Sequence, residues 1–335
     1  MISAYAKARA ALLAVACLLS ANVTNNLWAA QSEAAQSGAA QQGLAQDDQP
    51  PVETVSQQHY IKTVFIIIME NHNWTGSGAA LSLKGNPLAP YFNYTLLPMA
   101  SHANQYYNPP HLHPSLPNYL WLEAGTNFGV KDDGPATKYH LSTHNHLAAL
   151  LDQRNITWKS YEEGATGTSC SLQNWHDPFV FFQDETNNEN TASVSCIRHI
   201  RPFTELKRDL DEKHSARYNF IVPNLCDSMH SPCGGGNQIK QGDEWLAKNV
   251  PTILNSSAYR SGGALFIVFD EALTGDGPIP MLVLSPFAKG NGYSNYIHYT
   301  HGSMLRTFEE IFGLTPLLGD AAHEYDLRDM FTVFP

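Results

Sequence analysis

The chain has 335 residues, of which 43% are hydrophobic and 15% are charged. This amount of apolar material is enough to bury a large core, which excludes a chain that is mainly disordered. Asp and Glu number 31 against 20 Lys and Arg, so the formal net charge is −11. A field of that sign repels polyanions and excludes general nucleic-acid binding, although a local cationic or metal site can still accept a phosphorylated substrate.

Residues 1–30 are typical of a secretory signal peptide. Lys7 and Arg9 form a basic start, residues 10–21 are an apolar run, and the small residues at 29–30 suit cleavage. The apolar run is too short to span a bilayer comfortably, so an uncleaved membrane anchor is the disfavoured alternative. We therefore expect a secreted, extracellular protein with no stable membrane insertion.

The remaining chain divides into two regions by composition. Residues 31–58 are rich in Ala, Gln and Ser and lack apolar periodicity, which predicts a disordered leader. Apolar patterns begin after that segment and recur to the end of the sequence. A single folded domain over residues 59–335 is the expected arrangement, and the sequence leaves the oligomeric state open.

The cysteine count favours disulfides in an oxidising compartment. Of the five cysteines, Cys17 lies in the predicted signal, and the other four form an even set. Four cysteines allow three pairings; neighbours along the chain favour Cys170 with Cys196 and Cys226 with Cys233. Zinc binding is the weaker alternative because no Cys-x-x-Cys pair is present.

Continuous apolar runs predict strands buried on both faces of a parallel sheet, at residues 63–69, 218–222, 264–269 and 281–284. Helical periodicity appears between and after them, at residues 91–99, 116–123, 145–153, 244–254 and 302–311. Alternating strands and helices favour an α/β sandwich with a mostly parallel sheet. Residues 170–201 are aromatic and Asn-rich without a clear period, which indicates a disulfide-tied insertion near the site.

Acidic and amide side chains follow three of the apolar runs. Ligands in open α/β sheets bind beyond the carboxyl ends of the strands, where such residues meet. Carboxylate and amide oxygens suit a hard divalent cation, so the sequence predicts an oxygen-rich metal site; the alternative is that each cluster only ends its strand. The candidates are Glu70 and Asn71, Asp270 and Glu271, and Asn224 with Asp227 and His230.

A second motif, His113-Pro-Ser-Leu-Pro-Asn-Tyr119, stands where a loop enters a predicted helix. Ser115 would lie at the N-cap or in the first turn, beside backbone N–H groups and the positive end of the helix, which favours a bound anion. The simpler alternative is that Ser115 is only a helix cap, but that leaves His113 unexplained. His301 similarly precedes the last helix, in a chain with 15 histidines, most of which must be bystanders.

Taken together, six blocks in this order resemble the phosphoesterase family of the alkaline-phosphatase superfamily, which contains secreted acid phosphatases and phospholipases C. The resemblance covers nearly all of residues 62–332 and implies a three-layer α/β/α sandwich with a mostly parallel central sheet and a phosphoryl-transfer site. The blocks are residues 69–71, 113–119, 223–224 with 229–230, 241–246, 269–271, and 299–303 leading to 311–314.

The resemblance also implies roles for single residues. Glu70, Asn71, Ser115 and Asp270 match the family's metal-binding positions, with Glu271 beside them, for a divalent metal ion whose identity the sequence does not give. Ser115 also matches the hydroxyl nucleophile that forms a phospho-enzyme. His113, His230 and His301 match histidines that line the site in the family. Of these, we favour His230 as the residue that donates a proton to the leaving alkoxide, with His113 as the second choice.

We accordingly expect a secreted metal-dependent phosphomonoesterase of acid-phosphatase type that acts on a small phosphorylated substrate. A phospholipase C acting on lipid phosphodiesters, and a catalytically silent extracellular binding protein, are the alternatives. Sequons for N-glycosylation begin at Asn73, Asn93, Asn155 and Asn255 and predict a glycoprotein in a eukaryotic secretory route. Little modification is expected at Asn73, which lies two residues from Asn71.

Overall fold

The computed structural model describes residues 59–76, 78 and 81–335. The predicted signal peptide and leader, residues 1–30 and 31–58, lie outside the described residues. Ten strands occur in the described chain: β1 Thr63–Met69, β2 Ser101–Ala103, β3 Tyr106–Tyr107, β4 Trp158–Glu162, β5 Ile200–Pro202, β6 Tyr218–Val222, β7 Gly263–Phe269, β8 Met281–Leu284, β9 Ser294–Asn295 and β10 Tyr299–Thr300.

Eight of these strands form one sheet, in the order β5-β4-β6-β1-β7-β8-β2-β9, while β10 pairs with β3 separately. The five strands from β5 to β7 are mutually parallel. β8 runs antiparallel to both β7 and β2, so the expected mostly parallel sheet has one reversed strand. Apart from Thr63 at the start of β1, both β1 and β7 are apolar along their length; both are central in the sheet, as expected for strands covered on both faces.

Helices cover the sheet and complete the predicted α/β sandwich. Phe308 of the last helix packs against Tyr218 of β6 and Phe266 of β7. The α-helices are α1 Leu97–Met99, α2 Ser115–Ala124, α3 Ala136–Tyr139, α4 Leu147–Gln153, α5 Gln183–Thr186, α6 Val194–His199, α7 Thr204–Asp211, α8 Gln238–Leu254, α9 Ser257–Arg260 and α10 His301–Phe312. A π-helix spans Phe92–Leu96, and 3-10 helices span Pro178–Phe181, Gly319–Ala322 and Arg328–Met330.

Two predicted elements differ from the observed ones for identifiable local reasons. The helix predicted over 244–254 begins at Gln238, because the Asn237 side chain caps it by accepting a hydrogen bond from Lys240 N at 3.1 Å. The insertion at 170–201, which has no sequence period, contains α5, α6 and β5 as well as the first 3-10 helix. These elements are too short to produce a hydrophobic period.

Both disulfides favoured by chain proximity are present, Cys170–Cys196 and Cys226–Cys233. The second closes a loop of eight residues that carries His230. In the part of the chain that the structure describes, no helix has the length and apolar composition needed to cross a bilayer.

The four sequons fall into two groups by exposure. Asn73 and Asn93 are buried, and their side chains make hydrogen bonds inside the fold. Asn155 and Asn255 are exposed. An attached glycan must lie outside the folded protein, so the structure restricts the predicted glycosylation to Asn155 and Asn255.

Candidate active site

The carboxyl ends of β1 and β7 bring four of the predicted site residues together. Because Met69 is paired with Phe269 at the ends of these parallel strands, Glu70 and Asn71 emerge beside Asp270 and Glu271. The backbone N–H of Asn71 donates to Asp270 Oδ1 at 3.1 Å, and Asn71 Nδ2 donates to Glu271 Oε1 at 3.1 Å. The predicted oxygen-rich cluster is therefore a contiguous group of side chains.

Ser115 joins this cluster from the start of α2. It is the first residue of the helix, after Pro114 at the N-cap, in agreement with its predicted place. Its hydroxyl donates to Glu70 Oε2 at 3.1 Å, and the hydroxyl of Tyr119, one turn later, donates to Glu70 Oε1. Ser115 is only 3% exposed. The helix N-terminus and the hydroxyl thus face the acidic cluster.

The predicted histidines lie at different distances from the cluster. His113 Nδ1 is 2.5 Å from Glu271 Oε2, and His113 is partly exposed. His301 is fully buried, with Nε2 2.6 Å from the backbone oxygen of Asp270 and Nδ1 3.0 Å from the Tyr106 hydroxyl. Since both ring nitrogens of His301 have partners inside the fold, its contact with the site is to the Asp270 backbone.

His230 lies on the loop that follows β6 and is bonded to the end of β1. The N–H of Glu70 donates to the backbone oxygen of Ser228 at 2.8 Å, which ties this loop to the end of β1. Gly242 of α8 packs so closely against Met229 that a β-carbon there would overlap the methionine side chain. The His230 ring is exposed, and its centroid is 6.3 Å from that of His176.

His176 and Tyr119 are site residues to which sequence reasoning gave no role. His176 Nε2 is 3.5 Å from Glu70 Oε1, and its ring tilts over that of Tyr119 with centroids 5.3 Å apart. Tyr119 stands in the His113–Tyr119 motif, which was a usable signal. His176 lies in the aperiodic insertion and has no signal in the sequence.

Burial of several carboxyl groups dominates the electrostatics of the site. Burial raises the pKa of Glu70 to about 7, although hydrogen bonds from Tyr119 and Ser115 oppose the shift. Burial and the neighbouring Glu70 charge raise the pKa of Asp270 well above its usual range. Burial, together with Asp270 and Asp133, raises the pKa of Glu271 to about 9. A cluster of this kind is fully ionised only when a cation is bound.

The donor atoms fit a hard divalent cation. Asn71 Oδ1 and Asp270 Oδ2 are buried and have no hydrogen-bond partner within the described chain. Buried oxygens without partners are costly unless something binds them, and carboxylate and amide oxygens are what such cations prefer. The geometry of Glu70, Asn71, Ser115 and Asp270 is therefore compatible with the predicted metal site.

A second group of side chains that could bind a metal ion lies away from the candidate active site. Asp152, Glu185 and His199 bring one donor atom each within 4.8 Å of one another. Trp158, the first residue of β4, stacks on His199 and donates to Asp152 Oδ1 at 3.1 Å. This group is therefore at the amino end of β4, whereas the candidate active site is at the carboxyl ends of β1 and β7.

Comparison with known proteins identifies the family. The model of the Phosphoesterase family matches residues 91–315, and the chain belongs to that family. An acid phosphatase of Aspergillus fumigatus is 29% identical over 232 residues, which are 62% of this chain and 47% of that protein. A phosphatidylinositol-3-phosphatase of Mycobacterium tuberculosis is 29% identical over 279 residues, 80% of this chain and 82% of that protein. The chain spans about half the length of the fungal acid phosphatases that it matches.

Solved structures confirm the predicted fold class. A member of the alkaline phosphatase superfamily from Vibrio parahaemolyticus aligns with a TM-score of 0.55 at 14% identity, covering 81% of this chain and 72% of that one. A phosphonate monoester hydrolase from Silicibacter pomeroyi aligns with a TM-score of 0.52 at 9% identity, covering 81% and 76%. At these identities the likeness establishes the shared α/β sandwich.

Proposed function

We propose that this chain is an exported, divalent-metal-dependent phosphomonoesterase of acid-phosphatase type that works through a phosphoserine at Ser115. The observation that carries the proposal is the Ser115 hydroxyl, at the start of α2 and hydrogen-bonded to Glu70 within the acidic cluster. The matches to acid phosphatases support the reaction class. The signal-like residues 1–30 and the two disulfides support export.

In this proposal Glu70, Asn71, Ser115 and Asp270 hold the cation, with Glu271 beside them. A bound divalent cation lowers the pKa of a hydroxyl and offsets charge on phosphoryl oxygens. Ser115 Oγ loses its proton to the Glu70 carboxylate and forms a bond to phosphorus, while the bond from phosphorus to the ester oxygen breaks. Water then attacks the phosphoserine and gives a proton to the histidine that protonated the leaving alkoxide, while the bond from phosphorus to Ser115 Oγ breaks. The proton held by Glu70 returns to Ser115 Oγ, so inorganic phosphate is released and the Ser115 hydroxyl is restored.

The leaving alkoxide needs a proton, and we assign that role to His230. Its exposed ring lies next to His176, which contacts Glu70. Burial and the neighbouring His176 lower the pKa of His230. A proton donor must be protonated, so activity is expected to rise as the pH falls from neutrality toward that pKa, which agrees with the acid-phosphatase type. His113, in contact with Glu271, is the second candidate donor.

Three alternatives to the acid-phosphatase type are a phosphoinositide phosphatase, a phospholipase C and a silent binding protein. The match to a phosphatidylinositol-3-phosphatase covers most of both chains and favours phosphoinositide monoesters as a second candidate. A phospholipase C would need an apolar surface for the second substituent of a diester. A silent binding protein is disfavoured because Glu70, Asn71, Ser115 and Asp270 are all present and in mutual contact.

The deciding experiment measures hydrolysis of a chromogenic phosphate monoester and of the matching choline diester, with and without a chelator. We expect the monoester to be preferred by at least ~10-fold in kcat/KM, about 1.4 kcal/mol of transition-state preference, and the chelator to abolish both activities. Equal or greater diester activity would favour the phospholipase assignment. Hydrolysis that survives complete metal removal would contradict the metal-dependent mechanism.

A further inference from the structure

A cleft of about 320 Å³ opens beside the candidate active site. It lies at the carboxyl ends of β4 and β6, with Glu162 from the end of β4 and Pro223 after β6 among its lining residues. β6 is the neighbour of β1 in the sheet, and β4 is the next strand out. Strands are spaced by about 4.8 Å, so the cleft begins within roughly 10 Å of Glu70. His176 belongs to both regions, since it lines the cleft and contacts Glu70.

The lining combines one exposed aromatic face with many polar side chains. Trp175 is 38% exposed at the cleft. The side chains of Thr166, Ser171, Gln173 and Asn174 line the same cleft. The Gln173 side chain is exposed, and its amide makes no hydrogen bond to any described residue. A ring with apolar C–H faces and hydroxyl groups at its edge matches both features, with one face on Trp175 and the hydroxyl groups on the exposed Ser171 and Gln173 side chains.

The charges in the cleft disfavour an anionic substituent. Among the described residues that line it, none is lysine or arginine, whereas Glu162 and Asp177 contribute carboxyl groups. Asn174 Nδ2 donates to Glu162 Oε2 at 2.7 Å. The nearby Arg201 guanidinium is committed to Glu205 at 2.8 and 2.9 Å and to the backbone of the 164–169 loop. A second phosphate in the cleft would meet negative charge without a cation.

We propose that this cleft binds the alcohol part of the substrate, and that the preferred alcohol is a single uncharged polyhydroxyl ring, a hexose or a cyclitol, carrying one phosphate. This inference rests on the proposed phosphomonoesterase function. A planar nucleobase is the less suitable occupant, because its few polar edge atoms offer fewer hydrogen bonds to the exposed Ser171 and Gln173 side chains than the hydroxyl groups of a polyol ring do.

The first test compares kcat/KM for glucose 6-phosphate, myo-inositol 1-phosphate and methyl phosphate in the full chain. Trp175→Ala should lower the values for one or both ring substrates by about 10-fold or more and change methyl phosphate by less than about 2-fold. Which ring responds identifies a hexose or a cyclitol. Tyr94→Ala, which removes an aromatic ring that is 72% exposed on the Phe92–Leu96 helix, is the matched control and should change none of them.

An equal loss on all three substrates would mean that Trp175 only positions His176, and would overturn the proposal. A greater Trp175 dependence for adenosine 5′-monophosphate than for both ring phosphates would also overturn it. A second comparison tests the effect of charge: kcat/KM for fructose 6-phosphate should exceed kcat/KM for fructose 1,6-bisphosphate by about 10-fold. A preference for the bisphosphate would contradict the assigned electrostatics.

Calorimetric binding separates failure of this inference from failure of the proposed function. If the wild-type chain hydrolyses none of these esters, the proposed function fails. If glucose 6-phosphate or myo-inositol 1-phosphate then still binds to the full chain, and Trp175→Ala weakens that binding about 10-fold or more while Tyr94→Ala leaves it unchanged, the result supports the cleft as a polyol site. Absence of Trp175-dependent binding for both would overturn the inference independently of any activity.

Discussion

Asn71 and Glu271, delivered by neighbouring strands, are joined by a hydrogen bond of 3.1 Å from Nδ2 to Oε1. Because the amide nitrogen is committed to Glu271, the Asn71 oxygen is left buried without a partner among the described residues. The bond thus orients an oxygen donor toward the place where the proposed cation binds. Asn71 contributes an amide to this cluster, whereas Glu70, Asp270 and Glu271 contribute carboxyl groups.

Asn71→Asp should make the stability of the fold depend more strongly on a bound divalent cation. The change removes the amide donor to Glu271 and adds a fourth carboxyl group to a cluster whose carboxyl pKa values are already raised, which destabilises the metal-free fold by about 1–3 kcal/mol. A divalent cation should restore much of that loss. Thermal unfolding with chelator and with Mg²⁺, Mn²⁺ or Zn²⁺ measures the difference in Tm, with wild type as reference. An equal metal-induced shift in Tm for both proteins would contradict the assigned role of Asn71.

His230→Gln should affect substrates according to their leaving groups. An alkoxide needs a proton from the enzyme, whereas p-nitrophenolate leaves well without one, so the variant should lose about 10²-fold on an alkyl phosphate and much less on p-nitrophenyl phosphate. The matched variant His113→Gln should not show this selectivity. If His113→Gln shows it and His230→Gln does not, the proton donor is His113.

The Cys226–Cys233 disulfide should stabilise both the fold and the position of His230. Replacing both cysteines by Ser is expected to cost about 2 kcal/mol in the free energy of unfolding, since the closed loop is short. Replacing Cys170 and Cys196, which are 26 residues apart, should cost about 3 to 4 kcal/mol and serves as comparison. Only the replacement of Cys226 and Cys233 should impair hydrolysis of an alkyl phosphate more than that of p-nitrophenyl phosphate, because only this disulfide closes the loop that carries His230. Detection of a free thiol at Cys226 or Cys233 in the folded wild type would contradict the stabilising role of this disulfide.

His146 should remain protonated at neutral pH inside the fold. Burial would lower its pKa, but hydrogen bonds and charges of Asp184 and Glu123, at 3.0 and 3.1 Å, outweigh that effect and raise the pKa to about 9. The stability from this raised pKa is fully present below pH 6.5, the unfolded value, and is lost as the pH rises through about 9. NMR titration measures this directly, with His146→Gln assigning the signal. A midpoint below 6.5 would contradict the ion-pair arrangement.

The central strands and the acidic cluster could be predicted because their signals are local. β1 and β7 are continuous apolar runs, and each is followed directly by two of the cluster residues. β4 was not predicted, because Lys159 and Ser160 interrupt its apolar pattern. Lys159 is accommodated by an ion pair with Asp209, and Ser160 by a hydrogen bond to Glu162.

The parts of the site that sequence reasoning missed depend on contacts between distant residues. Tyr119 reaches Glu70 across 49 residues, and His176 reaches it from an insertion without periodicity. The commitment of both His301 nitrogens inside the fold likewise follows from the packing of α10 against Asp270 and Tyr106. Such contacts become visible only when the strands and helices are assembled.

Trapping the phospho-enzyme is the most direct test of covalent catalysis by Ser115. The chain is mixed with a phosphate monoester, quenched in acid within a turnover, digested and analysed by mass spectrometry. The proposed mechanism predicts phosphoserine at Ser115 in the wild type, and in Ser115→Ala no phosphopeptide, an intact fold and turnover lower by several orders of magnitude. Phosphate found on another residue, or near-wild-type turnover in Ser115→Ala, would contradict the mechanism.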